Sequence, residues 1–146
     1  MLKWNSSDVG IYLAQKEYID TIIIPLHAVN FVDEVKKNSF LWENLIAITN
    51  EIEHRFKGRV MLCPPFTYHS KEPSVTARLE QWIEDFYDGE AKHILFLTSD
   101  KAWQQEQVKG SVVFVPFEMQ ETEKGKKEAI MIQVEKVTKS LLGMWK

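Results

Sequence analysis

Residues 20–25 read Asp-Thr-Ile-Ile-Ile-Pro, a short apolar run that is closed by a proline. Three further runs have a similar form and end in proline or a small polar residue: Arg59-Val-Met-Leu-Cys-Pro64, His93-Ile-Leu-Phe-Leu-Thr98 and Ser111-Val-Val-Phe-Val-Pro116. Runs that are apolar throughout, rather than alternating, are typical of strands covered on both faces, as in a parallel sheet between helices. Ligands of such sheets bind just beyond the carboxyl ends of the strands. The sequence therefore predicts where a site would lie.

Three other segments carry apolar residues at helical spacing, so that each presents one apolar face. These residues are Leu41, Leu45, Ile48, Ile52 and Phe56 in the first, Val75, Leu79, Trp82 and Phe86 in the second, and Ile130, Val134, Val137 and Leu141 in the third. Gly58 and Gly89 follow the first two segments and are expected to end those helices. Ser99 or Asp100 is expected to cap a further short helix that begins at Lys101.

Other local patterns give further expectations. We expect a short opening helix after a Ser6 or Ser7 cap, with Val9, Tyr12 and Leu13 turned inward. The stretch 26–39 is long for a connection between a strand and a helix. Residues 64–70 begin with two prolines and predict a rigid turn, and residues 118–127 are polar and are expected to be exposed.

Strands and helices alternate along the chain, and each crossover should be right-handed. We predict one α/β domain over residues 1–146, with a doubly wound, four-stranded and mainly parallel sheet in a flavodoxin-like arrangement of three layers. The preferred strand order is 2-1-3-4.

Composition limits the class of protein. With 45% hydrophobic and 27% charged residues, the chain has the balance of a soluble globular protein. Its apolar stretches are too short to cross a bilayer, and its first residues lack the apolar core of a secretion signal. A single cysteine, Cys63, allows no disulfide within the chain. We therefore expect a cytoplasmic protein with no membrane partner.

The net charge of −3 argues against nucleic acid as a partner, because such binding needs a basic stripe. Six lysines and four glutamates lie between Glu121 and Lys146. That small excess of positive charge is typical of a solvated helix face.

The strand ends deliver four residues that could carry chemistry: His27, His69, Asp100 and Glu118. Imidazole and carboxylate groups suit zinc or manganese, but no two of these residues have the local spacing of metal ligands. Ordinary roles in caps and turns are the alternative. There is no phosphate loop and no dinucleotide fingerprint, so we predict neither a bound metal nor a cofactor.

Six residues near the strand ends are candidates for binding: Asn30, Phe31, Phe66, Tyr68, Ser99 and Phe117. Their four aromatic rings could line a shallow apolar pocket, or they could plug that edge of the sheet. Ser99 has no glycine-rich elbow around it, which favours a capping role over that of a nucleophile.

The segments 20–31, 60–70 and 93–100 resemble creatininase-type amidohydrolases. In that family one strand ends in proline before a metal-binding acidic and histidine segment, and the next ends in a turn with proline and an aromatic residue. A later strand enters an Asn-Gly-His-Gly-Gly-Asn segment. Counted from Pro25, the metal-binding glutamate falls on Asn30 and the histidine on Val32.

The departures continue at the third segment, where Asn-Gly-His-Gly-Gly falls on Thr98, Ser99, Asp100, Lys101 and Ala102. Valine cannot ligate a metal, and a neutral asparagine oxygen replaces a carboxylate poorly. The resemblance therefore implies a creatininase-like fold without the metal-dependent hydrolysis.

The whole chain also resembles the small uncharacterised YpiF-type proteins of Gram-positive bacteria, a resemblance that supplies no activity. We predict a protein of unknown function that acts as a non-enzymatic binding or regulatory protein on a degenerate enzyme-like scaffold. One alternative is a metal-dependent hydrolase of a small amide, with His27, His69, Asp100 and Glu118 in its site. Another is a small-ligand binding module without chemistry.

The C-terminal helix raises the question of partners. Met131, Met144 and Trp145 lie off its main apolar stripe, which allows association with a second copy of the chain or with another protein. A helix packed on its own sheet, with a frayed tail, is the alternative.

Overall fold

A computed structural model describes residues 2–146 of the chain. The strands are β1 (Thr21–Val29), β2 (Val60–Leu62), β3 (Phe66–His69), β4 (His93–Thr98) and β5 (Ser111–Phe114). The helices are α1 (Ser6–Ala14), α2 (Val35–Arg55), α3 (Val75–Asp88) and α4 (Glu123–Met144), with a 3₁₀ helix at Lys101–Gln105. None of the helices within residues 2–146 combines the length and apolarity needed to cross a bilayer.

The sheet has the order β2-β1-β4-β5, and all its strands are parallel. Strand β3 pairs with the second half of β1, so β2 and β3 together form one interrupted edge strand. In terms of the four apolar runs this order is 2-1-3-4. The predicted α/β class, the parallel sheet and the strand order are therefore confirmed.

The interruption lies at Cys63, Pro64 and Pro65. The Cys63 N–H donates to the Ile23 carbonyl at 3.0 Å, and the two prolines that follow have no N–H to donate. Pairing resumes at Phe66, opposite Leu26. A rigid turn was predicted over residues 64–70, and this prediction is wrong for residues 66–69, which form β3. From Phe66 the side chains alternate between buried and exposed, as in a strand.

Pro25 lies inside β1 rather than at its end, because the strand continues to Val29. The Thr21 N–H donates to the Arg59 carbonyl, and the Ile23 carbonyl accepts from Cys63, so alternate residues of β1 face the edge strand. Pro25 is the next residue in this alternation. Its missing donor therefore falls where the edge strand is itself interrupted.

Helices cover both faces of the sheet. One core cluster joins α2 and α4 to the sheet through Ile23, Leu45, Ile48, Ile52, Leu95, Val134, Val137 and Leu141, among others. The other joins α3 and the 3₁₀ helix to the opposite face through Ile22, Ile24, Phe66, Leu79, Ile83, Phe96 and Trp103, among others. These layers confirm the three-layer arrangement.

Several boundaries differ from those expected. The cap of α1 is Asn5, whose side chain accepts from the Asp8 N–H, and Leu13 is 60% exposed instead of inward. Helix α4 begins at Glu123, inside the polar segment 118–127, because the Thr122 side chain caps it by accepting from the Gly125 N–H, and most of that segment is exposed as expected.

The end of the chain packs on the start of the sheet. The Trp145 indole N–H donates to Thr21 Oγ1 at 2.7 Å, and its ring meets Phe56 edge-on at 5.0 Å between centroids. Met144 also packs against the core, whereas Met131 is partly exposed. Met144 and Trp145 therefore contribute to the packing of the chain itself, and association through this helix stays a prediction.

Candidate functional site

The connections that follow β1 and β4 leave the sheet toward opposite faces. Helix α2, after β1, packs on the face that it shares with α4, and the 3₁₀ helix, after β4, packs through Trp103 on the face covered by α3. Because β1 and β4 are neighbours, a crevice opens between their carboxyl ends, which is where open α/β sheets bind ligands.

The crevice forms a cleft of about 500 Å³. We call it the switch-point cleft, and its lining residues are Leu26, His27, Ala28, Asn30, Asp33, Glu34, Lys37, Asn38, Leu41, Leu45, Ser70, Ser99, Asp100, Lys101, Ala102, Phe114, Pro116 and Phe117. Its volume lies in the range of small-molecule sites, roughly 300 to 1,000 Å³.

His27 lies near the end of β1 and is half-buried. Its ring packs on Trp42 with 4.9 Å between centroids, and it forms no hydrogen bond to another group within residues 2–146. Burial lowers the pKa of the imidazole below its usual 6.5. A neutral imidazole with both nitrogens unpaired to protein therefore faces the cleft at neutral pH.

Asp100 is held from below by a chain of hydrogen bonds. The Trp103 indole N–H donates to the Tyr68 hydroxyl at 2.7 Å, and this hydroxyl donates to Asp100 Oδ2 at 2.5 Å. The other carboxylate oxygen accepts from the Ala102 N–H at 3.0 Å. Burial, and then the nearby Asp100 carboxylate, raise the pKa of Tyr68, so its phenol stays protonated as the donor. The Asp100 carboxylate is thus fixed in position at the cleft.

Asn30 organises the loop that follows β1. Its side-chain oxygen accepts from the Val32 and Asp33 N–H groups at 2.8 and 3.0 Å, and its amide donates to Ser70 Oγ at 2.7 Å. This local turn lies before α2, which begins at Val35. Asn30 therefore joins the ends of β1 and β3 at the rim of the cleft.

Two of the four candidate catalytic residues, His27 and Asp100, line the switch-point cleft. His69 is exposed, and its Nδ1 accepts from the Lys71 N–H at 3.1 Å. Glu118 is exposed and lines a neighbouring groove instead. Within residues 2–146 there is no group of three or more histidine, cysteine, aspartate or glutamate side chains that could hold a metal ion.

Three of the six candidate binding residues, Asn30, Ser99 and Phe117, line the cleft. The Ser99 hydroxyl donates to the Val115 carbonyl at 2.8 Å and not to a histidine. Phe31 projects outward and is 83% exposed, whereas Phe66 and Tyr68 lie in the core beneath the sheet edge. The formation of β3 draws these last two rings inward.

Sequence reasoning missed most of the contribution of α2. Lys37, Asn38 and Leu41, on its first turns, all line the cleft. The unusual length of the stretch between Pro25 and the helix was the available signal, because a long connection at a strand end commonly carries a binding loop.

A second groove, of about 470 Å³, adjoins the cleft. We call it the apolar groove, and it is lined by Lys36, Lys37, Phe40, Leu41, Phe117, Glu118 and Met119. Lys37, Leu41 and Phe117 line both spaces, so the cleft and the groove are neighbours that share these side chains.

A family described as "Protein of unknown function (DUF2487)" matches residues 10–145, which include all the strands and the whole lining of the cleft. The chain belongs to the DUF2487 family. This DUF2487 chain is also 32% identical over 112 residues to the uncharacterized protein YpiF of Bacillus subtilis (strain 168). The aligned region covers 77% of the chain and 75% of YpiF. The predicted YpiF-type resemblance is therefore confirmed.

No solved structure matches the DUF2487 chain. The resemblance to creatininase-type amidohydrolases accordingly stays a prediction.

Proposed function

We propose that this DUF2487 protein is a non-enzymatic binding or regulatory protein of the cytoplasm that takes a small ligand in the switch-point cleft. The observation that carries the proposal is the position of the cleft: a space of about 500 Å³ lies between β1 and β4, where the fold leaves a crevice.

The lining supports binding of a molecule with both polar and apolar parts. Leu41 and Leu45 of α2, with Phe114 and Phe117 after or at the end of β5, supply apolar surface. The ends of β1, β3 and β4 supply polar groups, among them Asn30, Ser70 and Asp100. Ten of the eighteen lining residues are polar or charged, so the cleft is more polar than most small-molecule sites and suits a ligand with several hydrogen-bonding groups.

The hydrogen bonds at the cleft favour binding over catalysis. Asp100 is paired with Tyr68 and Ala102, and it does not orient His27. Ser99 is committed to the Val115 carbonyl. Activation of a nucleophile requires a base within hydrogen-bond reach, and these contacts supply no such pair.

An enzyme acting on a small amide is the second candidate, because His27 and Asp100 line the same cleft and the His27 imidazole is neutral. Such an enzyme would use His27 as a general base without a metal.

One experiment separates these functions. A metabolite panel is screened by thermal shift against the wild type and Ala102→Trp, which fills the cleft from an exposed position, with the exposed Ala77→Trp on α3 as control. A ligand at 100 times its Kd adds about 2.7 kcal/mol to the free energy of unfolding. We expect that shift in the wild type and the control only.

The same incubations are analysed by mass spectrometry for amide cleavage. Turnover that is lost in His27→Gln would replace the binding proposal with the enzyme. A thermal shift that survives in Ala102→Trp, or a panel without any shift, would contradict binding in the cleft.

A further inference from the structure

We infer that the ligand is a single-chain amphiphile, with its polar head in the switch-point cleft and its hydrocarbon tail in the apolar groove. This inference rests on the proposed binding function and adds the chemical class of the ligand.

The first step is adjacency. Lys37, Leu41 and Phe117 line both spaces, so a chain that leaves the cleft over these side chains reaches Phe40 and Met119. The two spaces, of about 500 and 470 Å³, are each large enough for one part of such a ligand.

The second step is the apolar surface that the protein leaves uncovered there. Phe40 and Leu41 are only half-buried and belong to none of the core clusters formed by the described residues. Met119 is 70% exposed. Apolar surface of this kind is stabilised when a ligand removes it from water.

The third step is the separation of polar from apolar groups. The charged residues of the groove, Lys36, Lys37 and Glu118, are all exposed and lie at its rim. The fixed polar groups, including Asn30 and Asp100, lie in the cleft. A wholly polar metabolite would leave the groove in water, whereas a pure hydrocarbon would leave the polar groups of the cleft without ligand partners. An amphiphile matches both halves.

The test uses the full chain and two homologous probe series below their micelle concentrations: straight-chain carboxylates from butanoate to decanoate, and the matching n-alkylamines. Affinity and binding position are measured by NMR titration of the backbone amides. We expect affinity in at least one series to rise about fourfold for each methylene that enters the groove.

The shifts should also follow chain length. Amides near Ser99 and Asp100 should respond to every member of the series that binds, and amides near Phe40 and Met119 only to the longer ones.

Met119→Glu introduces a charge into the groove at an exposed position and should weaken decanoate or decylamine binding at least tenfold while leaving the short members unchanged. Ile132→Glu is the matched control, because Ile132 is similarly exposed, at 67%, on α4 and lines neither space. It should bind like the wild type.

The inference fails if affinity is independent of chain length in both series, if no member binds, or if Met119→Glu keeps the full gain. It also fails if Ala102→Trp leaves binding of the long probes unchanged. A further contradicting result is sedimentation in which Met119→Glu converts a dimer to a monomer, because a second copy of the chain would then fill the groove. A tail-free metabolite that binds the wild type but not Ala102→Trp would preserve the proposed function while overturning the amphiphile.

Discussion

The amino ends of the parallel strands are covered by packed side chains, whereas the carboxyl ends border an open cleft. At the amino end Trp145, Arg59, Asp20 and Thr21 interlock over the start of the sheet. At the carboxyl end the connections part around a cleft and an apolar groove. Side chains at the amino end thus satisfy one another across the first strand and the end of the chain, whereas the hydrogen-bonded side chains at the carboxyl end surround a space that a ligand can enter.

The amino end is closed by a network of contacts around the Trp145 indole. Arg59 stacks on the Trp145 ring with 3.9 Å from Cζ to the centroid, and its Nε lies 3.1 Å from Asp20 Oδ1. Thr21 Oγ1 accepts from the indole and donates to Asp20 at 2.9 Å. Each of these polar groups thus has a hydrogen-bond or charge partner within the network, and the end of α4 is fixed to the first strand.

The carboxyl end contains features that reduce stability. Glu34 precedes α2 with a left-handed backbone, at a φ of 54°, and its side chain makes no capping hydrogen bond. Residues in this conformation, and helices without a side-chain cap, are each less stable by about 1 kcal/mol. Phe31 and Val32, on the same loop, are exposed. Local rules of stability are broken at the end where we place the ligand.

The largest effect is expected at the closed end. Trp145→Ala removes the packing on Phe56, the stacking of Arg59 and the hydrogen bond to Thr21, and should lower the free energy of unfolding by about 3 kcal/mol. Urea denaturation measures the change. The exposed Trp4→Ala should cost less than about 0.5 kcal/mol. Equal losses in the two variants would contradict the stabilising role assigned to the contacts of Trp145.

A smaller effect is expected beneath the open end. Tyr68→Phe leaves the buried Trp103 N–H without its acceptor and Asp100 Oδ2 without its donor, which should cost about 1.5 kcal/mol. The exposed Tyr18→Phe is the control and should be neutral. Urea denaturation of both variants measures the free energy of unfolding. If Tyr68→Phe does not change it, the network does not hold Asp100.

The smallest effect concerns pH. Because burial lowers the pKa of His27 in the folded state, the unfolded chain binds a proton more readily once the pH falls below about 6.5. Stability should therefore decrease as the pH falls through 6.5 toward the folded pKa, and should not change further below it. Urea midpoints at a series of pH values between 7.5 and 5 measure this slope. His27→Gln should flatten it, and an unchanged slope in that variant would assign it to another group.

Much of the fold could be predicted because burial on both faces leaves a plain pattern in the sequence. The strand β4, at His93–Thr98, lies where its apolar run lies. Strand β3 was not predicted because it has only four residues and follows two prolines. Two prolines in a row usually indicate that the pairing of a strand has ended. Pairing with β1, far away in sequence, makes this short segment a strand.

The candidate site was partly predictable for a similar reason. His27 comes just after the first apolar run and Asp100 just after the third, so the direction of the strands was enough to bring them to one edge. Ser70 and Lys37 reach the cleft only through the course of β3 and α2, which no local pattern specifies. The contact of Trp145 with Thr21 spans 124 positions and was likewise beyond local reasoning.

The broken edge strand has a consequence for behaviour at high concentration. A continuous outer strand offers a row of free N–H and C=O groups onto which another chain can add and begin a fibril. Here the Cys63 N–H faces β1, so Pro64 falls in the outer row and removes one donor from it, and the Leu62 N–H beside it already donates to the Leu2 carbonyl. Pro64, which helps to divide β2 from β3, thus also protects this side of the molecule from aggregation.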